Sequence, residues 1–171
     1  MSGTGESTET FAPEEGQAAV DRLAEELRIE GWCRPAERAL LYALARSGPG
    51  SGAIVEVGTW QGLSTLYLAA GSKRAGREPV TTIDPFPGDN YAILAEHLRR
   101  AQLTEWVDVV QMYSMAAARK WDGRPIRLLY LDGDHAYEQV LADFQAWQSF
   151  VAPGGIVAFH DALEPQWPGV S

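Results

Sequence analysis

Along the first third of the chain, apolar side chains return every three or four positions. Val20, Leu23, Ala24 and Leu27 form one such series, with Glu and Arg filling the gaps. That period describes an amphipathic helix running on from about Pro13. "GWCRP" interrupts it, and Pro35 suits the first turn of a second helix whose apolar face is Leu40, Leu41 and Leu44. "SGPGSG" then reads as a loop. Beyond it the pattern changes to short apolar runs: "AIVEV", "PVTTI", "WVDVV", "IRLLYL" and "GGIVAF". Each has strand length and is rich in β-branched or large apolar residues. The stretches between them, "LSTLYLAAGSKRAG", "NYAILAEHLRRAQL", "SMAAARKW" and "AYEQVLADFQAWQSFV", carry helical patterns.

Strand and helix in alternation predict βαβ units, hence a parallel sheet covered on both faces: an α/β, Rossmann-like, doubly wound fold. The expected organisation is a polar, disordered tail over 1–12, a helical extension over 13–48 and one α/β domain over 53–171. In such sheets, ligands bind outside the carboxyl ends of the strands, near the point where strand order reverses. The polar residues just after each run therefore matter most. They are Gly58 to Ser64, Asp84, Ser114, Asp132 to His135, and His160 with Asp161.

Composition narrows the partners. With 171 residues and 46% hydrophobic content the chain can bury a core of one domain, and its net charge is −9. An acidic surface gains nothing from counterion release, which argues against nucleic acid or an anionic membrane as partner. The single cysteine, Cys33, excludes an internal disulfide and fits a reducing, cytoplasmic setting. No run approaches the roughly 18 apolar residues of a membrane span, and the N-terminus lacks the basic and apolar regions of a signal peptide.

Two motifs carry candidate chemistry before any comparison. "EVGTWQGLST" places Gly58 and Gly62 between a strand and a helix, where the backbone can approach a ligand and free N–H groups await an anion. Its spacing is neither G-x-G-x-x-G nor that of a P-loop. A glycine pair also serves plain turn chemistry. Asp84, ending the next run, can accept two hydrogen bonds from a ribose diol, or simply cap a turn before Pro85.

Together with "IRLLYLDGDHAYEQVLADFQAW" and "VAPGGIVAFHDA", these motifs resemble the class I S-adenosylmethionine-dependent methyltransferases. The resemblance is to the small-molecule O-methyltransferase branch that includes macrocin, catechol and caffeoyl-CoA O-methyltransferases. It implies methyl transfer to a hydroxyl of a small-molecule acceptor such as a natural product, sugar or phenol. A protein that keeps the cofactor pocket but has lost catalysis stays open as the alternative. By the same resemblance Glu56, Gly58, Thr59, Trp60 and Gly62 would form the loop under the methionine part of S-adenosylmethionine. Ser64 would meet its carboxylate. Asp84, with Pro85, would hold the ribose, and Ser114 and Met115 would lie at the adenine edge, with Asp132 completing the cofactor set.

The metal-dependent members of this branch bind Mg²⁺ or Ca²⁺ through Asp residues matching Asp132 and Asp161. Two carboxylates can hold such a cation when substrate oxygens complete its shell. The third ligand there, an Asn, is Ala162 here, and His160 stands where a neighbouring branch has an acid. The expected metal set is therefore Asp132, His160 and Asp161. An imidazole favours softer cations than Mg²⁺. His135 falls where the catechol branch places its lysine base; it is expected to take the acceptor proton, with Asp132 as the second catalytic residue. Asp134 reads as an acid serving the next helix, His97 as a surface residue, and Trp147 and Phe150 as core. The resemblance also implies a C-terminal strand pair, and the chain ends before one. A sequence that is part of a longer one, a second copy covering the edge in a homo-oligomer, and reduced function are three ways to account for that.

Overall fold

The structure is a computed structural model that describes residues 16–162 and 170. The tail over 1–12 and most of the segment beyond Ala162 lie outside the described residues. Helices α1 (Gly16–Leu27) and α2 (Pro35–Ser47) precede the sheet. Then follow β1 (Ala53–Val57), α3 (Leu63–Arg74), β2 (Val80–Asp84), α4 (Asn90–Arg100), β3 (Val107–Gln111), α5 (Ser114–Ala118), β4 (Ile126–Leu131), α6 (Tyr137–Trp147) and β5 (Val151–Phe159). All five apolar runs are strands, and every pairing is parallel. The order is β3-β2-β1-β4-β5, so the direction of winding reverses between β1 and β4.

Alternation along the strands builds two cores. Ile54, Val80, Leu128 and Tyr130 face α1 to α4. Val55, Val57, Ile83, Leu129 and Leu131 face the side covered by α5 and α6, where Trp147 is fully buried as its helical spacing implied. The two N-terminal helices are anchored from the sheet. Register slips by one residue beside Arg127 of β4. There the buried guanidinium donates to the Leu44 and Ala45 carbonyls at 2.9 and 2.6 Å and pairs with Glu78. Both carbonyls belong to the last turns of α2: that of Leu44 also accepts the Gly48 N–H at 2.8 Å, and that of Ala45, facing Pro49 one turn on, takes its partner from Arg127.

Two expectations change. The last helix does not reach Val151: it stops at Trp147, and a single 3₁₀ turn, Gln148–Phe150, leads into β5. Val151 already pairs with Ile126, and the next aligned pair is Leu128 with Ile156. The chain thus bulges out around Pro153, which has no N–H to give a ladder, and Gly154, whose φ is +79°. Among the described residues the sheet ends at β5, an edge strand only half-buried along its length, and no antiparallel pair follows.

Candidate active site

Four strand ends meet at one rim. Gly58, just past β1, has φ of +88°, and a side chain there would collide with the Asp132 carbonyl. This glycine therefore serves the contact between the loops after β1 and β4 rather than room for a ligand. Gly62 opens α3 at φ +91°, with the Leu94 side chain of α4 in the space a Cβ would need. Between them Trp60 holds φ +47°, and after β2 Phe86 holds φ +50°. Bulky residues rarely adopt that region. Asp84 accounts for both. Its Oδ2 accepts the Thr59 and Trp60 N–H groups at 2.9 and 3.0 Å, and its Oδ1 accepts that of Phe86 at 2.6 Å. Each carboxylate oxygen can accept two bonds, so Oδ1 retains capacity for a ligand. His97 is not a free surface residue: its Nδ1 lies 2.9 Å from the Gln61 carbonyl, tying α4 to the same loop.

Glu56 lies beneath this loop and off the cavity wall, fully buried. Its Oε2 accepts the Thr65 and Thr82 hydroxyls, both at 2.6 Å, and its Oε1 has no partner. Burial pushes its carboxyl up to about 7, against the pull of hydrogen bonds from neighbouring hydroxyls. The resemblance puts Glu56 and Gly62 in the loop under the methionine part of the cofactor; neither lines the cavity, Glu56 lying buried beneath the loop and Gly62 packing on Leu94.

A cavity of about 1020 Å³ opens over the rim. Gly58, Thr59, Trp60 and Ser64 wall one end; Asp84 and Pro85 follow, then Ser114 and Met115. The Ser114 hydroxyl accepts the Trp147 indole N–H at 3.0 Å, which fixes the start of α5. The segment between α1 and α2 forms the facing wall, where Trp32, 77% exposed, stacks on Trp60 with centroids 4.6 Å apart.

At the other end stand Asp132, His135, His160 and Asp161. His160 closes the ladder beyond β5 by donating its backbone N–H to Leu131. Its imidazole is buried, with Nδ1 3.0 Å from Asp132 Oδ1 and 3.3 Å from Asp161 Oδ2, and Nε2 3.5 Å from Glu37 Oε2. Burial works against a charge on this ring. The hydrogen bond and charge of Asp132, then Asp161 and Glu37, outweigh that and raise its pKa to about 9. His135 Nε2 is 3.2 Å from the same Asp161 oxygen. Asp134 accepts the Ala136 N–H at 2.8 Å, so its work is local geometry at the start of α6. Donor atoms of Asp132, His135 and His160 lie within 4.8 Å of one another, as do those of Glu37, His160 and Asp161; either set could surround a metal ion.

Three participants were not foreseen. Tyr130 donates to Asp132 Oδ2 at 3.2 Å. Cys33 lines the cavity, its thiol pushed up to about 12 by burial and then by Glu37. Glu37 arrives from α2, and nothing in "RPAERAL" marks it beyond a helix-start acid that accepts the Arg34 N–H at 2.7 Å.

A family model described as a methyltransferase domain matches residues 55–162. A curated relative, uncharacterized protein R132 of Acanthamoeba polyphaga mimivirus, is 38% identical over 42 residues, 25% of this chain and 19% of that protein. Among solved structures, the apo form of CalS11, a TDP-rhamnose 3'-O-methyltransferase of calicheamicin biosynthesis, superposes with a TM-score of 0.61 at 23% identity, covering 94% of this chain and 84% of that one. An O-methyltransferase from Bacillus cereus in complex with SAH gives a TM-score of 0.64 at 19% identity, covering 89% and 67%. These likenesses establish the shared fold. No described helix is long and apolar enough to cross a membrane.

Proposed function

The chain belongs to the methyltransferase-domain family, and from that premise we propose that it transfers a methyl group from S-adenosylmethionine to a hydroxyl oxygen of a small molecule. One observation carries this reading: a single cavity joins the start of α3 and the Asp84 carboxylate to a carboxylate–imidazole cluster at the switch point of the sheet. The SAH-bound relative from Bacillus cereus and the sugar O-methyltransferase CalS11 support the cofactor and the oxygen acceptor.

The residues present fit the cofactor. Ser64 lies in the first turn of α3, where free N–H groups and the helix dipole suit a carboxylate. Asp84 Oδ1 keeps a lone pair for a ribose hydroxyl, and Met115, half-exposed beside Ser114, offers an apolar face to a purine. Bound there, S-adenosylmethionine supplies a methyl on a sulfonium, already electrophilic, so the protein's task is positioning and deprotonation. His135 takes the proton of the acceptor hydroxyl, and Asp161, 3.2 Å from its Nε2, orients the ring. Asp132 and Asp161 are the carboxylates that would hold a divalent cation, which would acidify that hydroxyl when bound. Cys33, Trp32 and Trp60 shape the acceptor side, suited to a phenol or sugar ring.

Calorimetric titration with SAH, followed by methyl transfer to a panel of phenols and sugars, tests the proposal. One SAH per chain with turnover on at least one hydroxyl acceptor is expected; absence of SAH binding overturns it.

A further inference from the structure

Asp143 is a half-buried acid in the interior of α6, and the proposed methyl transfer makes no use of it. Its place follows from the helix. Asp143 and Trp147 stand four residues apart and so share one face of α6. Trp147 is fully buried on that face, in the core that holds Ala117 and Ala118 of α5. A carboxylate next to such a core loses solvation, so its partners matter.

One partner is Ser114, and its orientation is fixed from behind. The Trp147 indole N–H can only donate, and it ends on Ser114 Oγ at 3.0 Å. The single hydrogen of the hydroxyl then turns to Asp143. Burial raises the Asp143 pKa, the hydrogen bond from Ser114 lowers it, and Asp134 raises it again. Ser114 thus spends its hydrogen on Asp143 and has no donor left for a ligand.

The other side of the carboxylate faces the cavity, which Asp143 lines beside Ser114, Met115 and Gly133. Gly133 keeps that side open. Its backbone is not left-handed, so conformation does not call for glycine there. A Cβ at this position would stand 3.3 Å from Asp143 Oδ2 and 3.5 Å from a methyl of Val57. The glycine of "LDGDH" therefore leaves the carboxylate uncovered. What this end of the cavity offers a purine is a charged acceptor, and the donor on an adenine edge is its exocyclic amino group.

Resting on the methyl-transfer reading of this cavity, we infer that Asp143 reads the exocyclic amino group of the cofactor's adenine, its carboxylate accepting that N–H, with Ser114 as the positioning residue behind it.

The test titrates the full chain by calorimetry with SAH and with its 6-deamino analogue, which carries hydrogen in place of the adenine amino group, at about pH 8 so that the carboxylate is ionised. Wild type should bind SAH about 10- to 100-fold tighter than the analogue, as one hydrogen bond to a charged acceptor requires. Asp143→Ala should bring the two ligands within about threefold of each other, and Asp143→Asn, which keeps a neutral acceptor, should fall between. Ser114→Ala leaves the carboxylate in place and should retain a preference of at least about fivefold. An acid that only holds the start of α5 would instead weaken both ligands together and leave their ratio unchanged. Equal binding by wild type, a preference that survives Asp143→Ala, or one abolished by Ser114→Ala overturns the inference. If Asp143→Ala fails to fold by circular dichroism, Asp143→Asn decides, and a ratio equal to that of wild type overturns it. SAH bound without preference overturns only this inference, whereas a chain that binds neither ligand overturns the methyl-transfer reading.

Discussion

Asp84→Asn probes the joint on which the cofactor loop depends. The change preserves size, removes the charge and turns one acceptor oxygen into a donor. In the wild type three backbone N–H groups, those of Thr59, Trp60 and Phe86, end on this carboxylate. Whichever way the amide turns, at least one of them meets an NH₂ group. Hydrogen bonds to a charged acceptor contribute about 1.5 to 3 kcal/mol each and neutral ones nearer 1. One bond lost and two weakened, at a partly exposed site, amount to roughly 2 to 4 kcal/mol. Trp60 and Phe86 sit at positive φ, so their release also relaxes the loop away from its bound shape. For a domain of this size each kcal/mol moves the melting midpoint by about 2 to 4 °C. Scanning calorimetry of the ligand-free protein should show a fall of roughly 5 to 12 °C, alongside weaker SAH binding by titration. A variant that loses SAH affinity yet melts within about 1 °C of wild type would mean that Asp84 is a ribose ligand only, and the loop argument fails.

Glu56→Gln should change how stability depends on pH. The folded carboxyl titrates at about 7 against an ordinary 4.5, so it stays protonated while the unfolded chain ionises. Stability from this group is complete below about 4.5 and is lost as pH rises to about 7. Urea unfolding at pH 5 and pH 8 should show wild type declining relative to Glu56→Gln, by on the order of 2 to 3 kcal/mol; parallel behaviour refutes the raised carboxyl. His135→Ala should lower turnover while SAH affinity holds, and equal wild-type and variant rates from about pH 6 to 9 would remove it as base. Arg127→Met strands the Ala45 carbonyl, leaves that of Leu44 with the Gly48 N–H alone and takes from Glu78 its buried partner, so a loss of about 3 kcal/mol is expected in denaturant unfolding.

What the sequence made legible follows from which signals are local. β1 and β4 showed because a strand buried on both faces reads as a continuous apolar run; the edge strands β3 and β5, only partly buried, showed through their β-branched and apolar residues. The boundary after α6 failed because "WQSFV" keeps an apolar rhythm that suits a helix and a strand alike, and only pairing with Ile126 decides it. Asp132, Asp134, His135 and Asp161 were found because strand ends gather at one rim. Glu37 was invisible: its role depends on α2 crossing the end of β5, a tertiary fact with no local trace. A second reason for Gly58 was likewise out of reach, since the group that excludes its side chain is the Asp132 carbonyl, far along the chain.

The strand-end loops are tied to one another, not merely adjacent. Asp84 binds the loop after β1 to that after β2, Gly58 rests on Asp132 after β4, and His160 joins β5 to β4 through Leu131. His160 and Glu37 then reach α2. A floor braced in this way needs little ordering when a ligand arrives, which lowers the entropic cost of binding. Adaptation is left to the most exposed side chains of the cavity among the described residues: Trp32 at 77% exposure on one lip, stacked only on Trp60, and Tyr113 at 75% on the other. Both line the cavity, yet neither belongs to the bracing network. Selectivity among acceptors should therefore shift with substitutions at Trp32 while the melting midpoint stays near wild type. Substitutions at Asp84 or Gly58 should lower stability and binding of every ligand together.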